Sequence, residues 1–514
     1  MKKASFLGRT SLLVGFFFGL DKLLAFVRSI IIARQFRLSM ELDAFNVANN
    51  LPDLLFALIS GGALAMAFIP ILTETLALHG RPAAWNLFSR LANVGFLATA
   101  SAAVLVALFA EDIVRSQIGI APGFGSGQQA LIAGLMRLNL VATLIFSISG
   151  LVMAGLQSNQ HFLLPALAPA LYNVGQIIGA LVFSPTEPYV IGPFVLPAFG
   201  LGVHGLVYGV ILGACLHLLI QVPGLIRYQF RWTASLDVRD PAMRGALRMV
   251  APRLLTMFGI QAMFIARDNF ASRLDQVGAV SSLTYGWMIM QVPETLIGTA
   301  IAVSMLPTLS ELAARGDWEA FHAAIEKALR VLIALTLPVA AVMAAGLHPL
   351  ARAAFGFDAA GTALLTWTTR VFLLTLTGYA VQELMARAFY ARKQPWFPFF
   401  GVLARMVLYL AVGLLAVTCF QAPGAPAIAA AELSLTVEAL LMLCWLARRL
   451  PGRLALWPPV WKGGLAALLG GGIAYALALY LPGGAVVTAL VGMLIGGLVA
   501  LALVWKEARL LFRL

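Results

Sequence analysis

Asp21, Lys22 and Arg28 stand inside an otherwise apolar stretch running from about position 10 to 35. If that stretch crosses a bilayer, each charge near its centre costs about 2.5–3.5 kcal/mol, so these side chains must face a protein interior or water. Asp21 and Arg28 lie seven positions apart, on one helical face, where they can pair; Lys22 has no obvious neighbour on its own face. Ammonium and guanidinium groups in such a setting bind phosphate or diphosphate through charge-assisted hydrogen bonds. For Arg28 a structural partnership with Asp21 and an anion-binding role are both open, whereas Lys22 reads as an anion ligand.

The next apolar segment opens Asp43-Ala44-Phe45 and carries Asn46, Asn49, Asn50, Pro52 and Asp53 before Gly61-Gly62. It is too polar to face lipid, so it is expected to line a wet interior or to form a partly broken helix. Further on, Arg253 and Arg267 share a helical face with Asp268 beside them, Glu294 follows Pro293, and Arg370, Glu383, Arg387 and Arg405 complete the set of intramembrane charges. The expected substrate site is a cationic cavity of Lys22, Arg28, Arg253 and Arg370. Its polar lining is expected to be Asp21, Asp43, Asn46, Asn49, Asn50, Asp53 and Glu294. Arg267, Arg387 and Arg405 are expected to snorkel to the membrane interfaces. Surplus cations suit an anion too large and polar to cross lipid unaided.

Nothing in the chain reads as a phosphate loop, an HExxH or a GxSxG motif, and neither the six histidines nor the three cysteines cluster. Enzymatic catalysis, ATP hydrolysis, a disulfide framework and a metal site are therefore not expected. No cofactor is expected; the membrane potential or an ion gradient is the drive left open.

The elements that must position these residues follow from composition. With 61% hydrophobic and 11% charged residues over 514 positions, the chain lies far from soluble globular proteins. About fourteen apolar segments of spanning length recur, from 10–35 and 44–72 through 246–272 to 459–481 and 484–505. The spans must be helical, because lipid offers unpaired amides no partner. The first reads as a retained span rather than a cleaved signal, being too long and charged for a signal core. With the N-terminus inside, Lys2, Lys3, Arg9, Arg81, Arg227, Arg231 and most later basic residues fall on cytoplasmic segments, against Arg34, Arg37, Arg115, Arg273 and Arg352 opposite. The expectation is a multi-pass membrane protein with both termini cytoplasmic. The net charge of +13 is then topological and calls for no nucleic acid.

The chain also repeats itself. Pro70-Ile71-Leu72-Thr73-Glu74 returns 237 positions later as Pro307-Thr308-Leu309-Ser310-Glu311, and Met153-Ala154 leads to Pro165 much as Met385-Ala386 leads to Pro398. The expected architecture is all-α: two parallel six-helix lobes, 1–225 and 249–450, around a central cavity, joined by a charged cytoplasmic linker over 226–248. A Gly-rich two-helix hairpin, 451–514, follows and suits close packing.

The runs Asp43-Ala44-Phe45, Leu51-Pro52 and Ala67-Phe68-Ile69-Pro70, then Pro165-Ala166-Leu167-Ala168-Pro169 with Asn173, resemble the MurJ (MviN) lipid II flippases. Gln221-Val222-Pro223, Leu306 to Ser310 and Phe389-Tyr390-Ala391-Arg392 extend the resemblance across about 1–450. It implies membership of the multidrug/oligosaccharidyl-lipid/polysaccharide exporter superfamily and alternating access that carries lipid II from the inner to the outer leaflet. It also implies a hairpin that helps form a groove for the polyprenyl tail. The implied partners are lipid II or a similar polyprenyl-diphosphate-linked glycan, the bilayer, and cell-wall synthesis proteins. By the same resemblance Lys22 and Arg28 match two basic family positions. Ser29 stands where an acid is usual; where the family has a Pro-Asn pair, an arginine a few residues later and an acid before Gly-Ala, this chain has Pro52-Asp53, then Phe56, Ala57 and Gly61; and Trp287-Met288 replaces an Asp-Arg pair. These departures leave three alternatives: a flippase for another polyprenyl-linked oligosaccharide, a drug or metabolite antiporter if the cavity is acidic or aromatic, and a non-transporting scaffold.

Overall fold

The computed structural model describes residues 2–61, 63–236, 241–419 and 424–513; the side chains of 2–15, 18, 59–61, 63–68, 70–71, 191, 194, 241–253 and 512–513 lie outside the described residues. The chain forms two compact units, Met1–Asn269 and Phe270–Leu514.

The first unit opens with α1 (Lys2–Phe36), uninterrupted through its charged middle. Ser39 caps α2 (Met40–Ala48), its hydroxyl accepting from the Leu42 amide at 3.2 Å. Then come α3 (Asn50–Leu55) and a π-helical segment, Phe56–Gly61, so the polar second segment is indeed a broken helix. It leads into α4 (Ala63–Leu108), which turns sharply at Gly80, where φ is 79°. The short α5 (Ala110–Arg115) and the long α6 (Ser126–Ser158) follow. After α7 (Leu163–Ile178) a second π segment, Gly179–Phe183, leads to a two-stranded ribbon of β1 (Val190–Ile191) and antiparallel β2 (Phe194–Val195). The helices α8 (Val203–Leu219), α9 (Val222–Arg227) and α10 (Pro241–Ser272) complete this part of the chain. The expected linker runs partly through residues 237–240, outside the described residues.

The α7–α8 crossing explains one sequence pattern. A methyl group added at Gly175 would overlap the backbone of Gly213, and one at Gly179 that of Gly209, so glycine alone permits this approach. Where the chain leaves α9, Trp85, Phe88 and Phe230 form an edge-to-face cluster, and the Trp85 indole donates to the Tyr228 carbonyl at 2.9 Å.

The second unit runs α11 (Ala279–Pro293), a π segment Glu294–Thr299, α12 (Ala300–Arg315), α13 (Trp318–Phe355), α14 (Ala359–Leu374) and α15 (Leu376–Ala391). It continues through α16 (Trp396–Thr418), α17 (Ala425–Ala430) and α18 (Leu433–Ala447) to the hairpin of α19 (Trp457–Tyr480) and α20 (Ala485–Leu503). The short α21 (Trp505–Ala508) and a final 3-10 turn end the chain. The core gathers Phe321, Leu329 and Leu332 of α13, Leu384 and Phe389 of α15, and Met442 of α18. Gly470 and Gly496 bring α19 and α20 together and Gly471 sets α19 against Ala341 of α13, while Gly464, Gly472 and Gly497 face open space. Gly463 and Gly492 are packed as well, so five of the eight glycines in α19 and α20 serve close packing.

Ten described helices are long and apolar enough to cross a membrane, and the pair α14 and α15, bent by 42°, makes an eleventh. The other three expected spans, 10–35, 44–72 and 246–272, are helical over most of their described backbone, but part of each has side chains outside the described residues. The duplication reappears in backbone detail that no residue pattern announced. A π segment precedes Pro70 and another precedes Pro307. Gly80 and Gly316, just after the repeated strings, both adopt left-handed φ, and so do Gln160 and Lys393 after the second echo.

Candidate functional site

On α1, Asp21 and Arg28 do not pair directly. Asn173 of α7 stands between them: its amide nitrogen donates to Asp21 Oδ1 at 2.8 Å, and its Oδ1 accepts from the Arg28 guanidinium at 2.9 Å. The same nitrogen reaches the Pro169 carbonyl at 3.2 Å, fixing the amide on its own helix. Asn173 is buried, so this relay holds Arg28 in one place at the edge of a protein interior. Lys22 is different: 76% of its side chain is exposed, and its nearest acid, Asp21, is 4.0 Å away. An exposed ammonium and a fixed guanidinium, six residues apart on one helix, are each groups that bind an anion through charge-assisted hydrogen bonds.

The broken second helix spreads its polar groups. Asp43 is buried in the first turn of α2, and Asn46 is half-buried. Asn49 Oδ1 accepts from Asn139 of α6 at 2.7 Å, and Asn50 donates to Asp268 at 2.9 Å. Asp268 in turn takes the Arg267 Nε at 2.7 Å. Arg267 is thus buried in an ion pair, not at an interface as its length suggested, because Asp268 and Asn50 supply polar company inside.

Asp53 and Asn49 open into a cavity of about 290 Å³ within the first unit. Its walls include Phe56, Asn139, Thr143, Phe146, Tyr172 and His217. Asp53 is exposed to this space, and the positive charge of Arg28 acts on its carboxylate. His217 is held at 2.6 Å from the Ser149 hydroxyl and packs edge-on against Phe146, a structural role.

In the second unit Glu294 is buried at the start of its π segment and accepts from the hydroxyls of Thr299 at 2.8 Å and Thr295 at 3.3 Å. Arg370 donates to the Ala344 carbonyl at 2.9 Å and lies over the exposed Trp367 ring at 4.9 Å. The Arg253 side chain lies outside the described residues. Arg405, expected at an interface, is buried instead: it meets Glu432 at 2.8 Å and Glu438 at 3.7 Å, with Gln382 donating to Glu438 at 3.2 Å. Glu432 caps α18 and Glu438 lies within it, and nothing in sequence linked them to Arg405. Arg387 makes an ion pair with Glu383 at 2.9 Å. An apolar cavity of about 250 Å³ lies between α13 and α20, bounded by Leu335, Pro338, Val342, Leu501 and Val504.

Asn139, Tyr172 and Asn173 carry much of this geometry and were not among the residues expected to form the site. Asn173 appears in sequence only as part of a motif, and Asn139 as one amide in a long apolar helix.

An all-helical chain with many spans, buried ion pairs and internal cavities defines a multi-span membrane protein. Residues 32–503 match the family described as "Lipid II flippase MurJ". A curated relative, "Lipid II flippase MurJ" of Burkholderia cenocepacia, is 30% identical over 419 residues, covering 80% of this chain and 76% of the relative. The chain belongs to the lipid II flippase MurJ family. Among solved structures, "Lipid II flippase MurJ, inward closed conformation" has a similar fold, with a TM-score of 0.79 at 20% identity over 98% of this chain and all of that one. An inward-facing multidrug resistance MATE transporter of the MOP superfamily is similar at a TM-score of 0.69 and 15% identity, over 84% of this chain and 94% of that one.

Proposed function

We propose that this protein carries lipid II from the cytoplasmic to the outer leaflet of a bacterial cell membrane by alternating access, serving peptidoglycan synthesis, with both termini cytoplasmic. The observation that carries the mechanism is the pair of cations on α1, one clamped by Asn173 and one exposed. Lys22 and Arg28 take the diphosphate. Arg370 is committed to Ala344 and Trp367, so the reading rests on α1 rather than on the wider basic set. The apolar cavity between α13 and α20 has the chemistry to receive part of a polyprenyl tail. A potential positive outside favours inward return of the emptied cationic site by about 2.3 kcal/mol per charge per 100 mV. An ion gradient remains the competing drive.

Vesicles reconstituted with the protein and fluorescent lipid II provide the test. The wild type translocates the lipid above the protein-free background, and Lys22→Ala and Arg28→Ala each slow it. Background rates for the wild type sink the proposal; full activity in both variants sinks only the α1 site. The acidic, aromatic pocket around Asp53 is the feature a drug antiporter would display, and cation efflux without lipid movement would favour that reading.

A further inference from the structure

Two carboxylates occupy matching places in the two repeats. Asp53 follows Pro52 shortly before the π segment Phe56–Gly61, and Glu294 follows Pro293 at the start of the π segment Glu294–Thr299. Such segments inside α-helices recur at functional sites. The two acids differ in their company. Asp53 is exposed and has the Arg28 charge acting on it. Glu294 is 3% exposed near the middle of the apolar stretch Ala279–Arg315, and among the described residues no cation acts on it.

Its oxygens meet only neutral donors, the Thr299 hydroxyl on Oε1 and the Thr295 hydroxyl on Oε2. Four helices, α11, α12, α13 and α15, pack on the segment. From α15 come Tyr379 and Glu383, and the charge that acts on Glu294 is the negative one of Glu383. Arg387 is spent on Glu383, and Arg405, which acts on Tyr379, is spent on Glu432 and Glu438. On α13, Arg330 is taken by Glu326 and Glu507, and His348 turns to Thr366. On α12, Arg315 pairs with Glu311, and α11 carries no charged residue, its Tyr285 packing on Phe355 and Phe357. An ionised Glu294 would therefore be a buried charge with no countercharge and a like charge nearby, which is costly. A bound proton removes that charge and needs no added space. Space is scarce: a methyl group on Gly298 would come within 3.1 Å of both Ala380 on α15 and Glu294 Oε1, so the acid is sealed in this seam.

We infer that Glu294 is a proton-binding site, holding its proton in the packing described and releasing it when the π segment parts from α15. By linkage, whatever opens the seam expels the proton, and a proton gradient biases the seam in turn. Coupling of that proton to lipid movement rests on the proposed function; the proton site does not.

Infrared difference spectroscopy on the purified full-length protein in nanodiscs reads the site without any transport. At pH 7 the wild type shows the carbonyl stretch of a protonated, slowly exchanging carboxyl. Glu294→Gln, which keeps the shape and neutrality of the protonated acid, loses that band and melts at the same temperature. Identical spectra for the two proteins, or loss of the wild-type band on adding sodium chloride at constant pH, overturns the inference. Vesicles with fluorescent lipid II, clamped at zero membrane potential, then test the coupling. Reversing a pH gradient changes the wild-type flipping rate severalfold and leaves the Glu294→Gln rate unmoved; a wild-type rate indifferent to the gradient refutes the coupling. No lipid movement with the band intact defeats the flippase reading and leaves the proton site standing, whereas lipid movement without the band does the reverse.

Discussion

Replacing Asn173 with alanine removes one amide and disconnects two charges. The lost contacts are the 2.9 Å bond from Arg28 and the 2.8 Å bond to Asp21. Hydrogen bonds to charged groups are worth about 1.5–3 kcal/mol each, and the half-buried setting of Asp21 and Arg28 argues for the lower end. Asp21 and Arg28 cannot easily replace the amide by meeting each other: seven residues of helix separate their α-carbons by roughly 10 Å. Arg28 therefore loses its fixed position while keeping its charge. If holding that position is worth about 1.4–2.8 kcal/mol in the transport cycle, lipid II flipping slows by roughly tenfold to a hundredfold. The assay is a double-mutant cycle in reconstituted vesicles with wild type, Asn173→Ala, Arg28→Ala and the double variant. Because Asn173 acts through Arg28, the double variant flips no more slowly than Arg28→Ala alone. Multiplicative losses, or a full rate in Asn173→Ala, would refute the positioning role.

Arg405→Met leaves Glu432 and Glu438 buried without their cation and is expected to cost about 3–5 kcal/mol, seen as a lower temperature of monodispersity loss in detergent. Adding Glu432→Gln and Glu438→Gln should recover most of that loss; a triple variant as unstable as the single one would contradict the account. Burial, and then the positive charge of Arg227, hold His161 below its ordinary value of 6.5. The unfolded chain thus binds the extra proton more readily, and stability present above pH 6.5 is lost as pH falls below it. The unfolding midpoint should drop between about pH 7 and pH 5, and less so in His161→Gln; the same pH slope in both proteins would count against the assignment. Gly213→Val places a side chain against the Tyr172 carbonyl and should abolish folded yield on size exclusion, whereas Gly134→Val, with open space beside it, should not.

The sequence by itself determined the membrane class, the helical fold and the duplication. Long apolar runs leave the backbone no alternative to helices, and the paired Pro-x-Leu strings recur whatever the packing. It also isolated Asp21, Lys22 and Arg28, since a charge in an apolar run is conspicuous in one dimension. It could not say which partner each charge takes. Asn173 lies 145 positions from Arg28, and Asp268 lies 218 from Asn50. Such pairings depend on which helix faces are in contact, and helical periodicity gives a residue's face but not the face opposite. For that reason Arg267 and Arg405, which looked like interfacial anchors, proved to be buried: the acids that solvate them arrive through packing. The same holds for the cavity around Asp53, where the acid and three rings from separate elements come together only when the chain is folded.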